Sequence, residues 1–133
     1  MHNIVFGTDG WRGLIARDYT FENLGLVAHA TARYVKKLKA KGASVVVGHD
    51  TRFLSREFAI ETSRILASYG ITVHLTDTFS STPQVSFHTL KKKAQIGIVI
   101  TASHNPAEYN GFKVKASFGG PALPEQIAKI EKE

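Results

Sequence analysis

Ile96-Gly97-Ile98-Val99-Ile100 runs without a polar side chain into Thr101-Ala102-Ser103-His104-Asn105-Pro106. A short apolar run ending at turn-forming residues has the pattern of a strand buried on both faces. Reading backwards from it, a lysine triplet at 91–93 closes a weak helical stretch that Thr82-Pro83 opens, with proline at the first helical position. Ile71 to Leu75 predicts a strand. Before it, Ser55 opens a helix with Phe58, Ala59, Thr62, Ile65, Leu66 and Tyr69 on one stripe, closed by Gly70. Val45-Val46-Val47 is a second buried strand. Ahead of that, Thr20 is an N-cap with Glu22 in the first turn. Leu24, Val27, Ala28, Thr31, Tyr34, Val35 and Leu38 then recur at helical spacing up to a stop at Gly42.

Reading forwards, a strand is expected at about 111–116. Only some ten residues without a helix separate it from Ile100, too few for a parallel crossover, so it should run antiparallel beside the strand at Ile96 to Ile100. Pro124 begins a last helix. Residues 3–18 are glycine-rich and irregular, with at most a short strand at the start. Alternation of strand and helix calls for a largely parallel sheet with helices on both faces. The expectation is an α/β fold: one three-layer α/β/α domain over 1–133, with a mixed four-stranded sheet whose last strand is antiparallel.

The 133 residues are 43% hydrophobic and 21% charged, too apolar for a disordered chain. The absence of cysteine excludes disulfides, thiolate nucleophiles and thiolate metal sites. No apolar run approaches a membrane span, and the first six residues carry no secretory signal, so a cytoplasmic address without membrane contact is expected. Seventeen Lys and Arg against eleven Asp and Glu give a charge of +6, which suits an anionic partner. Much of that excess sits at Lys36, Lys37, Lys39, Lys41 and Lys91 to Lys93, where cations complement helix carboxyl ends. Phe6, Trp11, Phe53 and Phe112 are scattered, not interleaved with the basic runs, which argues against nucleic acid as the partner.

Ligands of such sheets gather beyond the carboxyl ends of the parallel strands. Three polar segments fall there: 48–52, 76–83 and 101–110. The last packs a hydroxyl, an imidazole and two Asn-containing turn signals into a few residues. Ser103 has three readings. It is a turn hydroxyl satisfying local backbone, an acyl-transfer nucleophile, or the carrier of a phosphoryl group. The second lacks a G-x-S-x-G elbow. In the third, His104, Lys113 and nearby arginines would offset the dianion. Lys113 and Lys115 share one strand face. Phe6-Gly7-Thr8-Asp9-Gly10-Trp11-Arg12-Gly13 is neither a dinucleotide nor a Walker A fingerprint. It is a tight loop, or a wrap that delivers Arg12 to an anion.

Residues 6–13, then Gly48-His49-Asp50-Thr51-Arg52 with Ser55, then Thr101 to Pro106 running into Tyr109-Asn110-Gly111-Phe112-Lys113, closely resemble the first domain of the α-D-phosphohexomutases. These are the phosphoglucomutases and phosphomannomutases, and the motifs share the family's order and spacing. The resemblance implies an intramolecular phosphotransferase that interconverts hexose 1-phosphate and hexose 6-phosphate through a bisphosphorylated sugar. Ser103 would be the phosphoserine, Arg12 and Lys113 stabilise the transferring group or move protons, and His104 lie near substrate. It also implies Mg²⁺ on a phosphoserine oxygen of Ser103, with the other ligands from an aspartate motif in a following domain. Glucose or mannose phosphates are favoured by Thr101-Ala102-Ser103 and Tyr109 to Phe112. His49 departs from the arginine more usual there and is left out of the catalytic set. The family's D-x-D-x-D loop, sugar-choosing segment and R-x-S-G-T segment do not occur in these 133 residues. The chain is therefore expected to be an excised first domain, partnered by the rest of the enzyme and inactive alone. A non-catalytic α/β module binding phosphorylated ligands or nucleic acid is the alternative.

Overall fold

Residues 4–133 are described by the structure, a computed structural model. Among them the chain order is β1 (Trp11–Leu14), α1 (Phe21–Leu38), β2 (Ser44–His49), α2 (Ser55–Ser68), β3 (Thr72–Leu75), α3 (Thr82–Lys91), β4 (Ile96–Ile100), β5 (Tyr109–Ala116) and α4 (Pro124–Glu131). Local chemistry explains most of these boundaries. The Thr20 hydroxyl accepts the Asn23 N–H at 3.1 Å and caps α1. That helix stops at Leu38, because Lys39 is already extended. Gly42, expected as the stop, instead turns the chain into β2 with φ +67°. Ser81 caps α3 reciprocally with Gln84, which puts Thr82 first in the helix and Pro83 second. Proline is tolerated there because first-turn N–H groups have no intrahelical acceptor.

The sheet order is β1-β5-β4-β2-β3. β2 runs parallel to both β3 and β4, and β5 lies antiparallel to β4, as the short connection required. The sheet has five strands, not four. β1 adds antiparallel to β5, pairing Trp11 with Phe112 and Arg12 with Gly111. Its four residues include a glycine and an arginine, so local β-propensity is weak. What holds it is tertiary: Trp11 is buried and stacks on Tyr19 with ring centroids 4.5 Å apart.

Side-chain alternation divides the layers. Val45, Val47, Ile96, Ile98, Ile100, Phe112 and Val114 face the main core, which α1, α2 and α4 close with Leu24, Phe58, Leu66 and Ile130. Val46 and Val99 face the other way and meet Val85 of α3 and Ala94. Because β2 and β4 are covered on both faces, Val45 to Val47 and Ile96 to Ile100 read as unbroken apolar runs. Among the described residues no helix is long and apolar enough to cross a membrane.

Candidate active site

The carboxyl ends of β2 and β4 lie side by side, which brings the 50–55 turn against the 101–110 loop. Asp50 links them. Its Oδ1 accepts from the Arg52 backbone N–H at 3.0 Å and from the Ser55 hydroxyl at 2.6 Å. Its Oδ2 accepts the Thr101 hydroxyl at 2.6 Å and stands 3.2 Å from Arg52 Nε. The Thr101 hydroxyl oxygen in turn accepts the Ser103 N–H at 3.0 Å. Asn110 extends the network by donating to Ser55 Oγ at 2.9 Å.

Arg52 then fixes the loop from outside. Its guanidinium donates to the carbonyls of Ser103 (2.9 Å), Asn105 (2.7 Å), Pro106 (2.7 Å) and Tyr109 (3.1 Å). One planar fork thus holds four carbonyls whose directions the loop alone could not impose. Within this frame Ser103 is exposed and left-handed, at φ +57°. A non-glycine residue there costs about 1–2 kcal/mol, so the surrounding bonds keep the serine in a conformation it would not choose.

The glycine-rich segment approaches from the β5 side. Arg12, carried on β1, donates to Asn105 Oδ1 at 2.6 Å and so reaches the serine loop. Asp9 stands 3.9 Å from Arg12 Nη2, 2.7 Å from Lys113 Nζ and 3.7 Å from Lys115 Nζ. Both lysines are buried on the face of β5 that looks toward α3. Burial raises the Asp9 carboxyl, but the Lys113 hydrogen bond and the charges of Lys113, Lys115 and Arg12 outweigh it and hold the group below the usual carboxylate range. Tyr19 donates to the Gly111 carbonyl at 2.9 Å, and burial together with the Asp50 charge pushes its phenol well up, so it stays a donor.

A pH dependence follows for Asp9. A carboxyl depressed in the folded state stabilises it above the unfolded pKa, and that contribution is lost as pH falls through the folded value. Stability should therefore drop as the solution is acidified below about pH 4. Asp9→Asn is expected to lower stability at neutral pH and flatten that acid limb. Urea midpoints measured from pH 3 to 7 check both.

Of the residues singled out from sequence, Arg12 reaches the loop that carries Ser103 through Asn105, and Lys113 shares Asp9 with Arg12. His104 is exposed beside Ser103. His49, set aside earlier, is buried with its Nδ1 2.8 Å from the Asp50 carbonyl oxygen. Sequence reasoning passed over Asp9, Asp50 and Arg52 as individual residues. Asp50 and Arg52 had one visible signal, an Asp-x-Arg string just past a buried strand; Asp9 had none beyond its place between glycines.

Residues 3–133 match the family of the phosphoglucomutase/phosphomannomutase α/β/α domain I. The chain belongs to that family. The phosphoglucomutase of Staphylococcus saprophyticus is 42% identical over 130 residues, covering 96% of this chain and 23% of that protein. A Staphylococcus aureus phosphoglucomutase is 40% identical over 122 residues, covering 87% and 21%. Among solved structures, a Thermus thermophilus protein with the provisional name phosphomannomutase superposes with a TM-score of 0.92 at 46% identity. It matches over 97% of this chain and 29% of its own. A phosphoglucomutase/phosphomannomutase family protein from Burkholderia thailandensis gives 0.82 at 26%, over 99% and 30%. The chain thus spans less than a quarter of the length of these curated phosphoglucomutases.

For a phosphohexomutase domain the magnesium question turns on donors. Asp9 is taken by three cations, and Asp50 by Arg52, Ser55 and Thr101. Among the described residues no three His, Cys, Asp or Glu side chains gather into a metal site. Hard octahedral cations need charged oxygen ligands. These residues, Ser103 included, do not by themselves fit Mg²⁺.

Proposed function

We propose that this domain carries the phosphoryl group of a hexose-phosphate mutase, with Ser103 as the hydroxyl that accepts it from a bisphosphorylated hexose and returns it. The observation that carries this reading is the placement of Ser103: exposed and left-handed on a loop braced by Arg52, with Arg12 bonded into the same loop. Phosphoryl transfer needs little covalent machinery and much positioning and charge. Arg12, Lys113 and Lys115 together exceed their shared carboxylate by two positive charges, enough to complement a phosphoryl dianion. Arg12 offers a planar fork to non-bridging oxygens. Lys113 is a point cation that stabilises the transferring group and can give a proton to the serine oxygen as the phosphoryl group leaves it. His104, beside the serine, faces the incoming sugar phosphate. The sugar is of glucose or mannose type, and complete turnover uses groups beyond these 133 residues, including the remaining magnesium ligands.

The test is phosphoryl loading. After incubation with glucose 1,6-bisphosphate, intact mass with site mapping is expected to show one phosphoryl group, on Ser103, absent from Ser103→Ala. Steady isomerisation of glucose 1-phosphate by the chain is expected to stay at background. Phosphate mapped to a different hydroxyl, or Ser103 modified by an acylating probe in place of phosphate, overturns the assignment.

A further inference from the structure

Lys115 is buried yet charged. It lies one strand repeat beyond Lys113 on β5, opposite Gly97 of β4. A Cβ on Gly97 would sit 3.4 Å from the Lys115 Cβ and 2.2 Å from Thr89 Oγ1, so the glycine leaves room for the lysine stem beneath α3. The Lys115 side chain is only 8% exposed, and its ammonium stands 3.7 Å from Asp9 Oδ1. Lys113 holds the other oxygen of that carboxylate at 2.7 Å, with Arg12 behind it at 3.9 Å. The elements packed around this cluster add no second acid. β4 presents only Ile96 to Ile100, and α3 presents Val85 and Thr89 at Gly97. His88 and Lys92 line a separate cavity with His74 of β3.

A buried ammonium demands a counter-charge, and here it draws on a carboxylate that two other cations also use. Each cation added to Asp9 leaves the others less neutralised. We propose that Lys115 is a positioning residue for anion binding: acting through Asp9, it anchors the glycine-rich segment and leaves Lys113 and Arg12 free to offer their charge to a phosphoryl group at Ser103. This rests on the reading of Ser103 as the phosphoryl carrier.

The test is a titration of the isotopically labelled chain with inorganic phosphate, following backbone amides by NMR. The wild type is expected to show saturable shifts in residues 101–110. Lys115→Met should raise Kd by about three- to fivefold, the size of one partly screened charge interaction. Lys115→Arg should return it to within about twofold, which a purely structural role would not predict. Lys115→Gln replaces the Met variant under the same criterion if that variant does not fold. Lys113→Met is the control that separates the two readings. A wild type whose loop ignores phosphate overturns the carrier assignment itself. Binding weakened by Lys113→Met but not by Lys115→Met overturns the role of Lys115 alone. An Arg variant as weak as the Met variant shows that charge is not what the position contributes, and likewise overturns it.

Discussion

Arg52→Ala is expected to release the serine loop and to destabilise the fold by about 2–4 kcal/mol, the range for breaking a charged hydrogen-bond network. Four carbonyls between Ser103 and Tyr109 lose their shared donor at once, and Asp50 loses its cationic partner. Water can re-solvate the exposed carbonyls, which keeps the cost within that range. The effect on Ser103 is larger than the effect on the fold. Its left-handed backbone would retain only the Thr101 bond to its N–H, and extended conformations would compete. Phosphoryl loading is expected to fall by at least about a hundredfold, because positioning supplies much of such a reaction. Denaturant midpoints, amide exchange over 101–110 and the loading assay check the three parts. Arg52→Lys should recover little, since an ammonium cannot reproduce a planar fork spanning four acceptors.

The second large effect belongs to a glycine. Gly10 has φ +102°, and a Cβ added there would stand 2.3 Å from the Phe112 carbonyl oxygen and 2.9 Å from the Lys113 Cα. Both neighbours are backbone of β5, so neither can step aside without breaking the β1–β5 pairing. Gly10→Ala is expected to cost more than about 3 kcal/mol, backbone strain and steric clash acting together. It should also displace Asp9, its neighbour, and Arg12, two residues on, and with them the charge around the serine loop. Gly7→Ala is the matched control. Its added Cβ would meet the Gly10 carbonyl oxygen at 3.6 Å, an ordinary contact, and stability should change by less than about 1 kcal/mol. Urea titrations of the two variants side by side give the comparison.

These residues show where sequence reading succeeds. The α1 boundary was legible because a threonine hydroxyl three residues from its acceptor N–H is a local event. β4 was legible because a strand covered on both faces has no polar positions to confuse the pattern. The antiparallel course of β5 followed from loop length alone. The family was legible through the motif strings around Arg12, Ser103 and Lys113, and the match over residues 3–133 establishes it. β1 was not. Trp11 to Leu14 has a strand's geometry only because Phe112 and Gly111 offer it an edge. Asp9 and Arg52 were equally hidden. An aspartate between glycines and an arginine in a turn look like surface charges until the chain has folded.

The order of most strands and helices, their buried faces and the family's motif strings were written in the residues, because periodicity, capping and turn formation act over a few positions. The fifth strand, the carboxylate shared by Arg12, Lys113 and Lys115, and the guanidinium spanning the serine loop came only from the tertiary structure. Their physical cause is distance. Arg12 and Asn105 are 93 residues apart in sequence and 2.6 Å apart in space, and no local preference encodes a contact that exists only once β1 has paired with β5.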